Sequence, residues 1–450
     1  MTKNLRWVSK MVYKSHCEFQ SAPGEIAVRG RVVEVTPPTF LIAGQDGELR
    51  LFADGRTLPA CGDIVEALVD EAVQPPKVLR LNRLVVSSQD PTINPESMFH
   101  RLRHDKGRIK RLLFLKSKGL RLIRSFFSSR DFVEWPTPQL VASPGLEVHL
   151  QGFVTHYLDD RGRSQPCYLP TSPEFSLKKA LCAGMERIYE ICRCFRNGGE
   201  TGPLHQCEFT MLEWYRAYAD YRAIMNDVEE LGIYLHEGLH SENSSAFRSR
   251  QIDWRPPWPR TSLQEVFDHH CGVNLERGVD DLEYFRTEAL RLLGDGAVES
   301  RDFNSLFYQL FLDFIEPQLG LKKPEILYDY PINMAGLAAR KPGRPKFAER
   351  FEVYVAGVEI ANAFTELNDP VEQEERFKRA LEEKRRRSYP AVPVDSQFLE
   401  ELSYGMPPSA GIALGIERLL MAQTGTEHID DLFFLPHLWG AGEGQRLWPV

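Results

Sequence analysis

The sequence predicts an α+β protein that consists of a small N-terminal β-barrel and a larger domain of mixed helices and strands. Three observations support this: alternating apolar and polar runs over residues 24–88, a polar linker with prolines over 89–98, and longer helical and strand patterns from about residue 99 onward. A chain of 450 residues is long enough for two domains, which we place at residues 1–92 and 99–450.

The predicted barrel has five short strands, with the sequences IAVRGRVVEV, FLIAG, ELRLFA, DIVEALVD and VLRLNRLVV. Proline pairs and glycine-containing turns separate them, at 37–38, 44–47, 54–55 and 75–76. Short strands bounded by such turns are typical of small antiparallel barrels. Only Phe40 and Phe52 are aromatic within these strands, and each is a candidate either for stacking on a base or for filling the core.

Composition excludes several classes of protein. The net charge of −8 argues against a generally basic surface for nucleic acid. No run of about 18 apolar residues predicts a membrane span, and the N-terminus lacks the pattern of a secretory signal. The eight cysteines are scattered without a C-x-x-C pair, which favours reduced thiols in the cytoplasm and disfavours a zinc site.

A basic segment over residues 101–130 stands out against the acidic whole. It carries eleven lysines and arginines against one acid, Asp105, with leucines at helical spacing between them. We therefore expect a helix over 107–130, either as a solvated amphipathic helix or as a basic surface for an acidic macromolecule. A second basic run, KRRR at 384–387, is expected on an exposed helix face.

Four further segments resemble motifs of one enzyme family. Residues 195–216 (FRNGGETGPLHQCEFTMLEWYR) and 405–421 (GMPPSAGIALGIERLLM) resemble motifs 2 and 3 of the class II aminoacyl-tRNA synthetases. Residues 349–369 (ERFEVYVAGVEIANAFTELND) resemble the lysine branch of that family, and 131–140 (DFVEWPTPQL) resembles motif 1, with Pro138 as its proline. The resemblance implies an antiparallel sheet flanked by helices, an anticodon-binding OB-fold for the barrel, and a homodimer formed through motif 1.

The resemblance also implies an enzyme that uses ATP and Mg²⁺ to form an amino-acid adenylate. Guanidinium groups suit phosphates because they are permanently charged and donate in a planar fork. Arg196 would contact the α-phosphate and the substrate carboxylate, and Arg418 the γ-phosphate and one face of the adenine. The other nucleotide contacts implied are those of Glu200, His205, Glu208 and Phe209, with Phe209 stacked on the adenine.

Two more sets of residues follow from the resemblance. If ERFEVYVAGVE forms a strand–turn–strand, Glu352 and Glu359 can converge on Mg²⁺, since carboxylate oxygens suit that ion. The residues implied around lysine are Glu174 for the α-amino group, Asn362 for the carboxylate, Glu213, Tyr215 and Glu366 for the side-chain ammonium, and Ala361 beside the substrate backbone. An anion for each ammonium would reject neutral side chains.

The acceptor of the activated lysine separates two enzyme hypotheses. Residues 99–450 resemble the ligases that attach lysine, or (R)-β-lysine, to elongation factor P, and the ligase-like features are SPGLEVHL at 143–150, Trp214, SYPAVPVD at 388–395, and Ala361 in place of a usual glycine. The barrel favours the alternative, a lysine–tRNA ligase acting on tRNA-Lys, because the best-known protein ligases lack it. A third possibility is a synthetase-like binding or regulatory protein without catalysis. We expect elongation factor P as the acceptor.

Overall fold

The computed structural model describes residues 25–44, 47–54, 58–70, 72–86, 108–148, 150–199, 202–294 and 302–434. The chain divides into two compact units, Met1–Arg111 and Leu112–Val450. Within the described residues, no helix combines the length and the apolar character needed to cross a membrane.

The N-terminal unit is a closed five-stranded sheet. Its strands are β1 (Glu25–Thr36), β2 (Thr39–Gly44), β3 (Gly47–Phe52), β4 (Ile64–Asp70) and β5 (Lys77–Val85). They hydrogen-bond in the order β1-β2-β3-β5-β4, and the circle closes because β1 pairs with both β2 and β4. Phe40 is fully buried inside, so it fills the core and offers no ring for a base.

The second unit is built around an eight-stranded sheet in the order β13-β14-β15-β16-β17-β10-β9-β6, with two separate hairpins, β7–β8 and β11–β12. The strands are β6 (Val133–Glu134), β7 (Val154–Leu158), β8 (Ser164–Tyr168), β9 (Arg187–Phe195), β10 (Glu208–Ala217), β11 (Ser244–Phe247), β12 (Arg250–Asp253), β13 (Arg260–Ser262), β14 (Glu325–Pro331), β15 (Phe347–Val355), β16 (Val358–Thr365) and β17 (Ser409–Gly415).

The sheet is antiparallel at its centre, as expected, but not at its edges. The pairs from β14 through β9 are all antiparallel, whereas β13 pairs with β14, and β6 with β9, in parallel. The antiparallel sheet implied by the resemblance is therefore present from β14 to β9, and one parallel strand extends it at each edge. The central strands bring the candidate site together, because β10 lies beside β17, and β17 lies beside β16.

Ten helices pack against the sheet or lie outside it in the described part of the chain. They are α1 (Arg108–Ser128), α2 (Glu174–Cys182), α3 (Tyr221–Leu239), α4 (Leu263–Cys271), α5 (Leu275–Asp280), α6 (Leu282–Leu293), α7 (Phe303–Leu310), α8 (Pro370–Arg386), α9 (Ser396–Tyr404) and α10 (Ile416–Thr424). A π-helical turn (Phe311–Ile315) continues α7, and short 3-10 turns follow at Glu316–Gln318, Ile332–Met334 and Ile429–Leu432.

Helix α1 matches the helix expected over 107–130 to within two residues at each end. Its apolar face buries Ile123, Phe126 and Phe127 in the main core, where the Phe127 ring lies 5.2 Å from the ring of the fully buried Trp214. The exposed face carries basic residues, among them Arg121 and Arg124. The amphipathic helix is therefore present, and a role of its exposed face in binding an acidic macromolecule stays a prediction.

Lys116 departs from that pattern because it points inward. Its ammonium donates to Oε1 of Glu417 at 2.6 Å and to the carbonyl of Leu432 at 3.1 Å, and both charged residues are buried. The other oxygen of Glu417 accepts the backbone N–H of Thr210 at 2.9 Å. One ion pair thus ties α1 to β10 and to the start of α10.

The second basic run was wrongly assigned in part. Arg385 and Arg386 are exposed at the end of α8, as expected. Lys384 is buried instead, and it donates to the carbonyl of Leu150 at 2.8 Å. Its neighbours in sequence gave no sign of this, because the partner lies more than 200 residues away.

Candidate active site

The second unit contains a cavity of about 1050 Å³ at the ends of β9, β10, β16 and β17. Seven residues expected in the site line it: Arg196, His205, Phe209, Glu359, Ala361, Asn362 and Arg418. Six others do not line it: Glu174, Glu208, Glu213, Tyr215, Glu352 and Glu366. Glu200 lies outside the described residues.

Arg196 follows β9 directly. Its backbone N–H donates to the carbonyl of Cys207 at 2.9 Å, and its guanidinium lies 5.1 Å from the centre of the Phe209 ring. Its buried Nε has no hydrogen-bond partner among the described residues. A buried donor without a partner is costly, so an anion that entered the cavity would find a ready ligand here.

Arg418 is the third residue of α10, close to the start of that helix. It donates to the carbonyl of Glu359 at 2.9 Å, to the carbonyl of Leu204 at 3.4 Å and to Nε2 of His205 at 2.7 Å. Because arginine keeps its proton, Nε2 must be the unprotonated ring nitrogen. Arg418 therefore holds the loop that precedes β10.

The same loop has a second anchor near the end of the described chain. The backbone N–H of Ile429 donates to the carbonyl of Pro203 at 2.8 Å, and the Gln206 side chain donates to Asp430. All of the cavity's loop residues from Gly202 to Cys207 are thereby held over the strand ends.

Glu352 and Glu359 lie on the predicted strand–turn–strand, formed by β15 and β16. Glu359 lines the cavity, and its burial together with the nearby Glu352 raises its pKa to about 7. Glu352 is already satisfied, since it accepts from Arg350 at 2.6 Å, Tyr330 at 2.5 Å and Tyr354 at 2.6 Å. Glu359 is suited to bind a divalent cation, because a nearby positive charge would relieve the repulsion between the two acids.

The described histidines, cysteines and acids form no cluster of three or more that could hold a metal ion. A site at Glu359 would therefore take its remaining ligands from outside the protein, as is usual for Mg²⁺ bound with substrate phosphates.

The residues expected to recognise the lysine side chain form a buried cluster beside the cavity strands. Glu213 and Tyr215 lie on β10, and Glu366 follows β16. Glu213 accepts from Ser172 at 2.6 Å and from Tyr215 at 2.8 Å. Burial, with a contribution from the nearby Glu174, raises the pKa of Glu213 to about 8.

The cluster contains a cation that the sequence reasoning missed. Lys178 is fully buried, and its Nζ lies 2.5 Å from Oε1 of Glu174 and 2.5 Å from Oε2 of Glu366. Burial alone would lower the pKa of Lys178, but Glu174 and Glu366 raise it, so this ammonium stays charged. The spacing of four residues between Glu174 and Lys178 on one helix was the available signal.

The cluster therefore has three carboxylates and one resident ammonium. Burial is the main reason that the pKa of Glu366 rises to about 8, with Glu174 adding to it and Lys178 opposing it. The backbone must also be close here, because a Cβ on Gly411 would lie 2.3 Å from the Tyr215 ring and 2.8 Å from Oε1 of Glu366. The charge of the cluster therefore favours a further cation and disfavours a further anion.

The raised pKa values predict a pH dependence of lysine binding. Glu213 and Glu366 bind protons more tightly in the folded protein than in the unfolded chain, so between about pH 4.5 and 8 their ionisation destabilises the fold as pH rises. An ammonium ligand favours the ionised form, so lysine affinity measured by calorimetry should rise more than tenfold from pH 6 to 8. Glu366→Gln should flatten this rise, and an unchanged profile would remove Glu366 from the lysine site.

Two other cavity residues were not expected from the sequence. Arg350 donates to Oδ1 of Asn362 at 3.0 Å and to the carbonyl of Met334 at 2.6 Å, so it fixes the orientation of that amide. Tyr308, at the end of α7, also lines the cavity, and burial raises its pKa. Arg350 lies between two acids, in the sequence ERFE, and nothing in this local pattern indicates that its side chain faces a cavity.

The fold and this geometry agree with comparisons to known proteins. A family described as tRNA synthetases class II (D, K and N) matches residues 94–438. This chain belongs to that family. The match begins after β5, the last strand of the closed sheet. The expected class II synthetase domain of α+β class is thereby confirmed.

The class II chain resembles lysine–tRNA ligases from several bacteria. It is 36% identical over 323 residues to that of Chloroflexus aurantiacus, which covers 72% of this chain and 64% of the relative. It is 37% identical over 333 residues to that of Dehalococcoides mccartyi (72% and 63%), and 36% identical over 330 residues to that of Legionella pneumophila (73% and 65%). The matched part thus spans less than two thirds of each relative's length.

Proposed function

We propose that the protein activates lysine, or (R)-β-lysine, as its adenylate with ATP and transfers it to a lysine side chain of elongation factor P. One observation carries the activation step. Arg196, Glu359 and Arg418 converge on a single cavity, and the strands that line it also carry a carboxylate cluster with too few cations. Phosphate chemistry and ammonium recognition are thus provided side by side.

In the proposed reaction a carboxylate oxygen of lysine attacks the α-phosphorus of ATP, and the bond to pyrophosphate breaks. Asn362, oriented by Arg350, would hold the carboxylate, while Arg196 would pair with charge that develops on the α-phosphate. Arg418 would hold the γ-phosphate, with Phe209 under the adenine. We also propose that the nucleotide is contacted by His205, Glu208 and Glu200.

Mg²⁺ would be held by Glu359, with Glu352 beside it, and when bound it would neutralise charge on the departing pyrophosphate. Arg350 would hold Glu352 in place beside it, since it lines the cavity and donates to that carboxylate at 2.6 Å.

Selection of lysine would rest on the charge of the cluster. Lys178 pairs with Glu174 and Glu366, which leaves the equivalent of two carboxylates without a cation. A long side chain that ends in an ammonium supplies one, whereas a neutral side chain would leave the acids unpaired, which is strongly unfavourable. Ala361, on the cavity wall, would adjust the space beside the substrate backbone.

The choice of elongation factor P rests on the ligase-like features at 143–150, Trp214, 388–395 and Ala361. A second candidate, transfer to tRNA-Lys, is favoured by the names of the relatives and by the closed sheet at 25–85, which we propose is an OB-like domain. We further propose that the domains meet within 93–98 and that the enzyme acts in the cytoplasm.

A homodimer is also proposed. Large apolar side chains are exposed near the segment that resembles motif 1: Val133 (51%), Trp135 (38%) and Leu140 (55%). A second copy of the chain that covered them would remove this apolar surface from water.

One assay tests both the activation and the acceptor. Purified protein is first tested for lysine-dependent ATP–pyrophosphate exchange, and absence of exchange with either lysine isomer would reject an enzymatic function. Radiolabelled lysine is then supplied with elongation factor P or with tRNA. Label on elongation factor P supports the proposal, whereas label on tRNA alone would establish the second candidate instead.

A further inference from the structure

Glu147 is an acidic residue without a role in the proposed reaction, and its side chain is shared by two cavities. Its side chain lines the large cavity and also a second cavity of about 290 Å³, whose wall includes Glu174. The side chain is half-buried, but its Oε2 atom is buried and has no hydrogen-bond partner among the described residues. A buried oxygen in this state needs a donor that arrives from elsewhere.

The loop that carries Glu147 is held in place on both sides. Thr171 donates to the carbonyl of Pro144 through its hydroxyl at 2.6 Å, and Lys384 donates to the carbonyl of Leu150 at 2.8 Å. Gly145 has a φ of +126°, and a Cβ there would lie 2.6 Å from Oε2 of Glu147. The glycine therefore allows the loop to turn while the carboxylate folds back over it.

Three charged groups lie close enough to affect this carboxylate. Burial raises the pKa of Glu147, and Glu174 raises it further, whereas Arg196 and Lys384 lower it. Glu147 thus shares the smaller cavity with Glu174, the acid assigned to the substrate's amino group, and the larger cavity with Arg196, the arginine assigned to its carboxylate. In an amino acid, those two groups are separated by only one or two carbon atoms.

We propose that Glu147 is a specificity-determining residue that accepts a hydrogen bond from the ammonium near the carboxylate of the substrate, α in lysine and β in β-lysine. This inference rests on the proposed function, because it assumes that a diamino acid occupies the cavity. Glu174 already pairs with Lys178, whose ammonium lies 2.5 Å away. By itself Glu174 is therefore a weak ligand for the ammonium of the substrate. Glu147 supplies the missing acceptor.

The test compares two ligands that differ only in this ammonium. L-lysine carries it, and 6-aminohexanoate lacks it while keeping the carboxylate and the terminal ammonium. Their dissociation constants are measured by calorimetry for the full-length wild type and for Glu147→Gln, which keeps the shape of the side chain. The discrimination between the ligands should fall about tenfold to a hundredfold, the value of a hydrogen bond between charged groups.

A matched control is Glu190→Gln. Glu190 is also a buried acid with one unpartnered oxygen, but it lines neither cavity. It should keep the wild-type discrimination.

Each other result overturns the inference. Equal weakening of both ligands by Glu147→Gln would show a general or structural effect, and unchanged discrimination would show that Glu147 does not meet the ammonium. A wild type that binds neither ligand would reject the proposed function itself, and that failure is seen before any variant is made.

Discussion

Arg196→Ala should lower lysine-dependent ATP–pyrophosphate exchange by about a hundredfold or more in kcat/KM. Preorganised donors that meet developing charge are each worth about 3 kcal/mol in the transition state. Arg196 is already fixed for this task, since its backbone is bonded to Cys207 and its guanidinium lies over Phe209. Arg196→Lys should recover only part of the rate, because lysine keeps the charge but loses the planar fork.

The control for this prediction lies at the other end of the same strand. Arg187 is exposed and donates to the carbonyl of Arg130, remote from the cavity residues. Arg187→Ala should leave exchange within about twofold of the wild type. A loss in Arg196→Ala no larger than in Arg187→Ala would refute the role of Arg196.

Lys116→Met should lower the free energy of unfolding by about 3–5 kcal/mol, because it leaves the buried carboxylate of Glu417 without its cation. Methionine keeps the length of the side chain and suits a helix, so lost packing contributes little. Urea denaturation of the purified variant would measure the change.

The double variant Lys116→Met with Glu417→Gln separates charge from packing. It removes the unpaired charge, and the glutamine carbonyl can still accept the N–H of Thr210, which Glu417 accepts at 2.9 Å. Most of the lost stability should return. A double variant as unstable as the single one would show that the ion pair is not what holds α1 to α10.

Local pattern was sufficient for much of the fold and for part of the site. The alternation over 24–88 predicted strands that formed, and the leucines at helical spacing within 107–130 predicted helix α1. Glu352 and Glu359 lie on the strand–turn–strand that their assignment to Mg²⁺ assumed. These features depend on neighbours within a few residues, and such neighbours are visible in a sequence.

The missed residues have in common a partner that is distant in sequence. Lys116 pairs with Glu417, and Lys384 with Leu150, so their burial depends on contacts made across the fold. Lys178 pairs locally with Glu174, but its second partner is Glu366. A lysine in a helix is usually solvated, and the sequence offers no reason to override that prior when the second acid lies far along the chain.

In the proposed function, the contacts of Arg418 make nucleotide binding an exchange of hydrogen-bond partners. The guanidinium already donates to Glu359, Leu204 and His205. A phosphate that binds this guanidinium must therefore replace the hydrogen bonds that it displaces. A triphosphate can replace these hydrogen bonds, whereas a nucleotide without the terminal phosphate would break the contacts to the loop and form few new ones. Arg418 would then disfavour the binding of shorter nucleotides, and opening of the loop before β10 would distinguish a bound triphosphate from a shorter nucleotide.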